Sequence, residues 1–276
     1  MWIRKRDIKK LSDDIRRIID GQDTDIRDNR EGLWGILKND IHTLASLKNE
    51  QVDALRRERD IMADTLANIS HQLKTPLTSM MIMADLLENA PLEKQAEFIL
   101  NLKTGLTRME WLAGALLKMA KLDAGAIEFS GERIRASTLV ELALEPLQVL
   151  LDVKSQSVEI AGEHSSALHC DKRWTAEALT NVIKNASEYS PDGGKIRIES
   201  GVNPICGWIS VTDSGDGISN KTIAGLFKRF KGSRSDKGYG IGLPLALAIM
   251  RGQNGDIEVD SGGNSCGATF TLKLYR

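Results

Sequence analysis

Between Ile99 and Ala120 the apolar residues Ile99, Leu102, Leu106, Met109, Ala113, Leu116 and Ala120 recur at alternating spacings of three and four. That spacing winds into a helix with an a/d stripe along one side. Leu112, Leu117 and Met119 broaden the stripe beyond what a single neighbour covers, which predicts a bundle of more than two helices. The preceding run supplies a first partner, with Leu66, Ile69, Leu73, Met80, Met83 and Leu87 on a similar stripe. Asn89-Ala90-Pro91 is the expected turn between them, because proline cannot continue the first helix but can open the second. A hairpin with so much apolar face cannot hide it alone, and a homodimer forming a four-helix bundle is the simplest solution.

Upstream, Leu11, Ile15 and Ile18 draw a shorter helical stripe that Gly21 interrupts, and Leu33, Leu37, Ile41 and Leu44 lead into a charged run without proline. The pattern is helix, connector, then a long coiled-coil-like helix. No stretch approaches the roughly 20 consecutive apolar residues of a membrane span. Met1-Trp2-Ile3-Arg4-Lys5-Arg6 reads equally as the exit of a membrane helix upstream of residue 1 or as a solvated basic helix start. The three cysteines, Cys170, Cys206 and Cys266, are widely spaced and suggest neither a disulfide framework nor a zinc site. A net charge of −1 on 276 residues gives no electrostatic footprint for nucleic acid as a partner.

After Asp123-Ala124-Gly125 the texture changes. Strand-like runs at 158–160, 195–200, 208–212, 255–259 and 268–274 mix with helical runs at 139–151, 175–189 and 244–251. This predicts an α+β sandwich with helices on one face of a mixed sheet, following the helical hairpin.

Four features of this half bear on chemistry. Asn181 and Asn185 are four apart and share one helical face, where an Asn oxygen can serve a magnesium ion that also bridges nucleotide phosphates. Asp213-Ser214-Gly215-Asp216-Gly217 follows a strand, so its carboxylate can accept a bond from an exocyclic amine while the glycines admit a flat ring. Gly238, Gly240 and Gly242, followed by Leu243, open a helix whose N-terminal N–H groups can meet phosphate. Gly267-Ala268-Thr269-Phe270 lies near the last strand. No strand precedes Gly238 and no Walker-type glycine-lysine run occurs, which disfavours the dinucleotide-binding and P-loop folds.

In this order the four features resemble the N box, the two G boxes and the C-terminal glycine box of the ATP-binding fold shared by histidine kinases, DNA gyrase and mismatch-repair ATPases. Leu226-Phe227-Lys228-Arg229-Phe230 is similar to the histidine-kinase F box. The resemblance implies ATP and Mg²⁺ as cofactors, with Asn185 holding the metal and Asn181 helping to place metal or phosphates. It implies that Asp213 reads the adenine amine, that Tyr189 lines the base pocket, and that residues 217–238 form an ATP lid. The lid cations Lys231, Arg234 and Lys237 suit phosphate contact. The family often carries Lys where this chain has Glu188, which removes one expected phosphate contact.

His71 falls at heptad position f, facing away from the core, if Leu66 and Leu73 occupy a and Ile69 occupies d. His71-Gln72-Leu73-Lys74-Thr75-Pro76 resembles the H box of histidine kinases, which makes His71 the expected phosphoacceptor. Pro76 removes a helical N–H and crowds the carbonyl of Gln72, favouring a bend beside the reactive residue. Thr75 shares the face of His71, and the resemblance implies that it orients a water for dephosphorylating a partner's phospho-aspartate. The expected domains are a HAMP-like or plain coiled-coil relay at 1–50, a dimerisation and phosphotransfer hairpin at 51–125, and a catalytic ATP-binding domain at 126–276.

The implied activity is autophosphorylation of His71 from Mg-ATP and transfer to an aspartate of a response-regulator receiver domain. A degenerate ATP-binding dimer acting as a scaffold, or mainly as a phosphatase, is the alternative; a gyrase-like ATPase leaves the His71 segment unexplained. The expected location is cytoplasmic, at the inner membrane face if a sensor segment precedes residue 1. Gln72 stands where the resemblance implies an acidic residue. An amide accepts the imidazole N–H bond but cannot take its proton. Gln72→Glu is therefore expected to autophosphorylate faster, measured as initial incorporation of radiolabelled phosphate; an equal or slower rate rejects this role.

Overall fold

Three helices form the N-terminal part of the chain: α1 (Lys5–Ile19), α2 (Leu33–Glu88) and α3 (Leu92–Asp123). The computed structural model describes residues 4–19, 25–26, 33–88, 90–162, 166–223, 225–230, 240–262 and 267–276. Two units divide it, Met1–Asn68 and Ile69–Arg276. In the first, Leu11 and Ile26 are buried, and the imidazole of His42 lies 3.8 Å from the carboxylate of Asp25. The run from 51 to 60 lacks Gly and Pro, so nothing interrupts α2 as it passes through that charged stretch. The helix also continues through Pro76. No helix among the described residues is long and apolar enough to cross a membrane.

In the second unit α2 and α3 meet where Gly105 makes room for Met80. A Cβ at Gly105 would stand 2.8 Å from the Met80 sulfur, and Met80 is buried. The remaining elements are β1 (Glu132–Arg135), α4 (Ala136–Leu144), a 3-10 turn (Glu145–Leu147), α5 (Gln148–Val153), β2 (Ser157–Gly162), β3 (Ala167–Cys170), α6 (Lys172–Tyr189), β4 (Lys195–Val202), β5 (Cys206–Thr212), α7 (Asn220–Ile223), α8 (Gly242–Gly252), β6 (Gly255–Asp260) and β7 (Thr269–Tyr275). Five strands form a mixed sheet in the order β2-β4-β5-β7-β6, with β2 parallel to β4 and the other pairs antiparallel. Inward Ile196, Ile198, Ile209, Val211, Phe270 and Leu272 join Leu139, Leu179, Ile183, Leu245 and Ile249 of the helices in one core. Alternate residues carry ion pairs instead, among them Lys195 with Glu159 and Lys273 with Glu258.

Two features depart from the sequence reading. A separate two-stranded sheet, β1 antiparallel to β3, was not foreseen, because Glu132-Arg133-Ile134-Arg135 offers a single apolar residue to an alternation test. Leu112 and Met119, expected to widen the bundle stripe, are instead buried with Ala115 in the core shared with α8. Ile99 and Leu106 of the expected seam remain 43% and 60% exposed.

Asp171 fastens this core. It caps α6 by accepting at Oδ1 from the N–H groups of Arg173 (2.9 Å) and Trp174 (3.0 Å), and its Oδ2 accepts from Ser130 N–H (2.9 Å). Asp171→Ala should cost about 2 kcal/mol, since a lost cap and a stranded partly buried N–H combine. Urea unfolding at neutral pH measures this, and a midpoint unchanged from the parent rejects it.

Candidate functional site

Helix α6 turns an apolar flank of Leu179, Val182, Ile183 and Ala186 into the core. Its polar positions are spaced to fall beside that flank. Asn181 is buried and Asn185 half-buried. The amide of Asn181 donates to the Glu177 carbonyl at 2.9 Å, which leaves Oδ1 directed at the start of α8. A Cβ on Gly242 would stand 3.1 Å from that oxygen, so glycine keeps the space between them open. Leu243 is buried behind it.

Asp213 follows β5 and is 6% exposed. Its Oδ1 accepts from Gly215 N–H (2.8 Å) and Ala268 N–H (3.0 Å), and its own N–H donates to the Ala268 carbonyl (3.0 Å). Gly267 N–H closes the loop on the Gly215 carbonyl at 3.1 Å. A Cβ at Gly267 would fall 1.8 Å from the Asp213 carbonyl oxygen, and one at Gly215 would fall 2.6 Å from that of Tyr189. Both positions therefore require glycine. The Tyr189 side chain is 61% exposed. Thr269 shares a hydroxyl bond of 2.9 Å with Thr212, and Gly217 and Gly240 adopt positive φ of 77° and 65°. Lys231, Gly238, Arg234, Lys237 and Cys266 lie outside the described residues.

These features fit a purine nucleotide. The two bonds within the chain fall on Oδ1 of Asp213, so Oδ2 can accept a ring amine, and the glycine-lined loop admits a flat base. Among the described residues no cluster of three His, Cys, Asp or Glu could hold a metal unaided. An Mg²⁺ here would take an Asn oxygen and complete its shell from phosphates and water.

A set of buried polar staples, invisible in the sequence, fixes the end of α6. The Gln156 amide donates to the carbonyls of Ser187 (3.0 Å), Ser190 (3.2 Å) and Pro191 (3.1 Å), and Ser187 Oγ donates back to Gln156 Oε1 at 2.6 Å. Ser190 Oγ then accepts from Ser214 N–H at 3.1 Å, joining α6 to the Asp213 loop.

His71, Gln72 and Thr75 form a separate group on α2. His71 and Thr75 are exposed and Gln72 is half-buried. The Thr75 hydroxyl donates to the His71 carbonyl at 3.2 Å, one residue before Pro76 leaves the Gln72 carbonyl without its helical donor.

Burial raises the pKa of Asp213 above the ordinary aspartate range, while the N–H groups of Gly215 and Ala268 partly offset it. The folded carboxyl thus holds its proton to higher pH than the unfolded one, and stability declines as pH rises through that window. Asp213→Asn should raise Tm at pH 7 but not at pH 4. Thermal unfolding at the two pH values checks this, and a lower Tm at pH 7 rejects the account.

Comparison with known proteins shows the family. Residues 61–125 match the His Kinase A (phospho-acceptor) domain, and residues 170–276 match the histidine kinase-, DNA gyrase B- and HSP90-like ATPase. The chain is 30% identical to the heme sensor protein HssS of Staphylococcus saprophyticus over 87% of its own length and 52% of that protein. It is 30% identical to the sensor histidine kinase WalK of Bacillus subtilis over 82% of its own length and 38% of that protein. It thus spans about half, or less, of these relatives. The histidine kinase AdeS of Acinetobacter baumannii shares its fold, with a TM-score of 0.63 at 24% identity over 74% of this chain and 97% of that one. So does a histidine kinase ThkA solved in complex with the response regulator protein TrrA, with a TM-score of 0.66 at 18% identity over 83% of this chain and 66% of that one. The chain belongs to the histidine kinases, with a phosphoacceptor domain followed by an ATPase domain.

Proposed function

We propose that this chain autophosphorylates on His71 from Mg-ATP and passes the phosphoryl group to an aspartate of a response regulator. The observation that carries the reading is the buried Asp213 carboxyl in its glycine cradle, in the same unit as an exposed histidine that precedes Thr75-Pro76. Asp213 Oδ2 would accept the adenine amine, with the Tyr189 ring beside the base. Asn185 would ligate Mg²⁺ with Asn181 alongside, and the metal would offset phosphate charge. The lid residues Lys231 and Gly238, with Gly240 and Gly242, would face the phosphates.

In the reaction a ring nitrogen of His71 forms the N–P bond in line as the P–O bond to ADP breaks. Gln72 orients the imidazole through its carbonyl, and the ring proton goes to solvent. Exposure of His71 leaves the approach of the ATPase domain, and later of a receiver domain, unobstructed. Thr75, already bonded to the His71 carbonyl, keeps acceptor capacity for the water that would hydrolyse a phospho-aspartate.

The domain limits we propose are a relay segment to residue 50, a phosphotransfer hairpin from 51 to 125 and a catalytic domain from 126, where Gly125 takes φ of 62° just beyond α3. The apolar exposure of Leu77, Ile99 and Leu106 supports a homodimer through the hairpin.

Incubation with labelled ATP and Mg²⁺ should give acid-labile, alkali-stable phosphate that is absent from His71→Ala. Label retained in His71→Ala rejects the site. No label in either chain favours the scaffold reading.

A further inference from the structure

Along one flank of α6 stand Glu177, Asn181, Lys184, Asn185 and Glu188, at helical spacings of three and four. The carboxylates on this flank are paired. Glu177 bonds Lys118 of α3 at 2.8 Å, and Glu188 lies 4.0 Å from the Lys184 ammonium. Lys184 has a second engagement, because its Nζ sits 4.7 Å above the centre of the Trp111 ring on α3. That distance is a cation–π contact. The Lys184 side chain is 39% exposed, so neither contact is deeply desolvated and both can be exchanged for a stronger one.

We propose that Lys184 is a phosphate-binding residue of the nucleotide site, and that Trp111 holds its ammonium while the ATPase domain is packed on α3. Nucleotide binding and that packing then compete for one positive charge. The inference rests on the nucleotide-binding reading above. Lys184 adjoins Asn185 and lies one turn from Asn181, so its flexible stem can carry the ammonium from Trp111 toward phosphates held beside them without moving the helix. A polyanion placed next to Glu188 needs such a cation, and Lys184 already lies within reach of that carboxylate. The contact with phosphate is charge-assisted on both sides, whereas the ring offers only a quadrupole. Coupling of this kind is reciprocal: whatever loosens α3 from the ATPase domain raises nucleotide affinity, and nucleotide loosens that packing to the same extent.

The test is calorimetric titration of the full chain with Mg-ATP and, separately, with adenosine, using the parent, Lys184→Gln, Trp111→Leu and the double variant. Lys184→Gln should weaken Mg-ATP about tenfold and leave adenosine unchanged. Trp111→Leu should tighten Mg-ATP about two- to fivefold in the parent and have no effect once Lys184 is Gln. Lys184→Arg, which keeps the charge, should bind Mg-ATP within about threefold of the parent. Equal Mg-ATP affinity in Lys184→Gln and the parent overturns the proposal. So does an equal loss of adenosine and Mg-ATP, which marks a structural role, or a Trp111→Leu effect that persists without Lys184. A parent chain that binds no Mg-ATP overturns the nucleotide reading itself.

Discussion

Helix α6 has to satisfy two environments at once, and the rest of the ATPase domain is arranged around that constraint. Its inner flank is mainly apolar and packs with α4 and α8, while Asn181 at its border is buried and Lys184, Asn185 and Glu188 beside it are half-buried. A helix so divided is held in rotation by the core, since turning it by one residue would bury an amide or an ammonium without a partner. Both ends are pinned as well. Asp171 caps the first turn and draws in Ser130, and Gln156 gathers three carbonyls at the last. Through Ser190 and Ser214 the end of α6 is joined to the Asp213 loop, so Asn181, Asn185 and Asp213 share one frame.

Helix α3 shows how one amphipathic stripe can serve two neighbours. The face with Leu112, Ala115 and Met119 enters the ATPase-domain core, and Lys118–Glu177 and Asp123–Arg229 flank it with partly exposed ion pairs. The face with Ile99, Leu106 and Leu117 stays exposed within a single chain. Apolar burial supplies most of the attraction on the covered face, and the ion pairs add little because solvent screens them. An arrangement of that kind fixes the register through the apolar contact and leaves the ion pairs at its solvent-exposed margin.

What the sequence made legible followed from local rules. The long helices were readable because their apolar spacing persists over many turns, and the glycine boxes because short glycine runs stand out locally and recur in a fixed order. The steric reason for two of those glycines, Gly267 against the Asp213 carbonyl and Gly242 against Asn181, lies in contacts distant in sequence and became visible only in the fold. The rest depended on contacts distant in sequence. Spacing says that Leu112 and Met119 are covered, but not whether a second hairpin or the ATPase domain covers them. The staples from Gln156 to Ser187 and from Ser190 to Ser214 join residues 31 and 24 apart with no motif to announce them. Strand β1 was hidden because one apolar residue in four cannot be told from a loop.

The positions where this chain departs from the family pattern bear on whether the site is in use. Gln72 and Glu188 are half-buried helical positions whose side chains lie outside the core, where substitution changes stability little. Asp213 is different. Its burial disfavours the ionised form that a base amine requires, so at neutral pH the carboxylate weakens the fold that contains it. An uncharged residue of the same shape would suit the fold better. Around Asp213 the backbone leaves no room for a side chain at Gly215 or Gly267, so the glycines, the two N–H groups and the carboxyl form one tightly fitted unit, whereas the positions of Gln72 and Glu188 place no such demand on their neighbours.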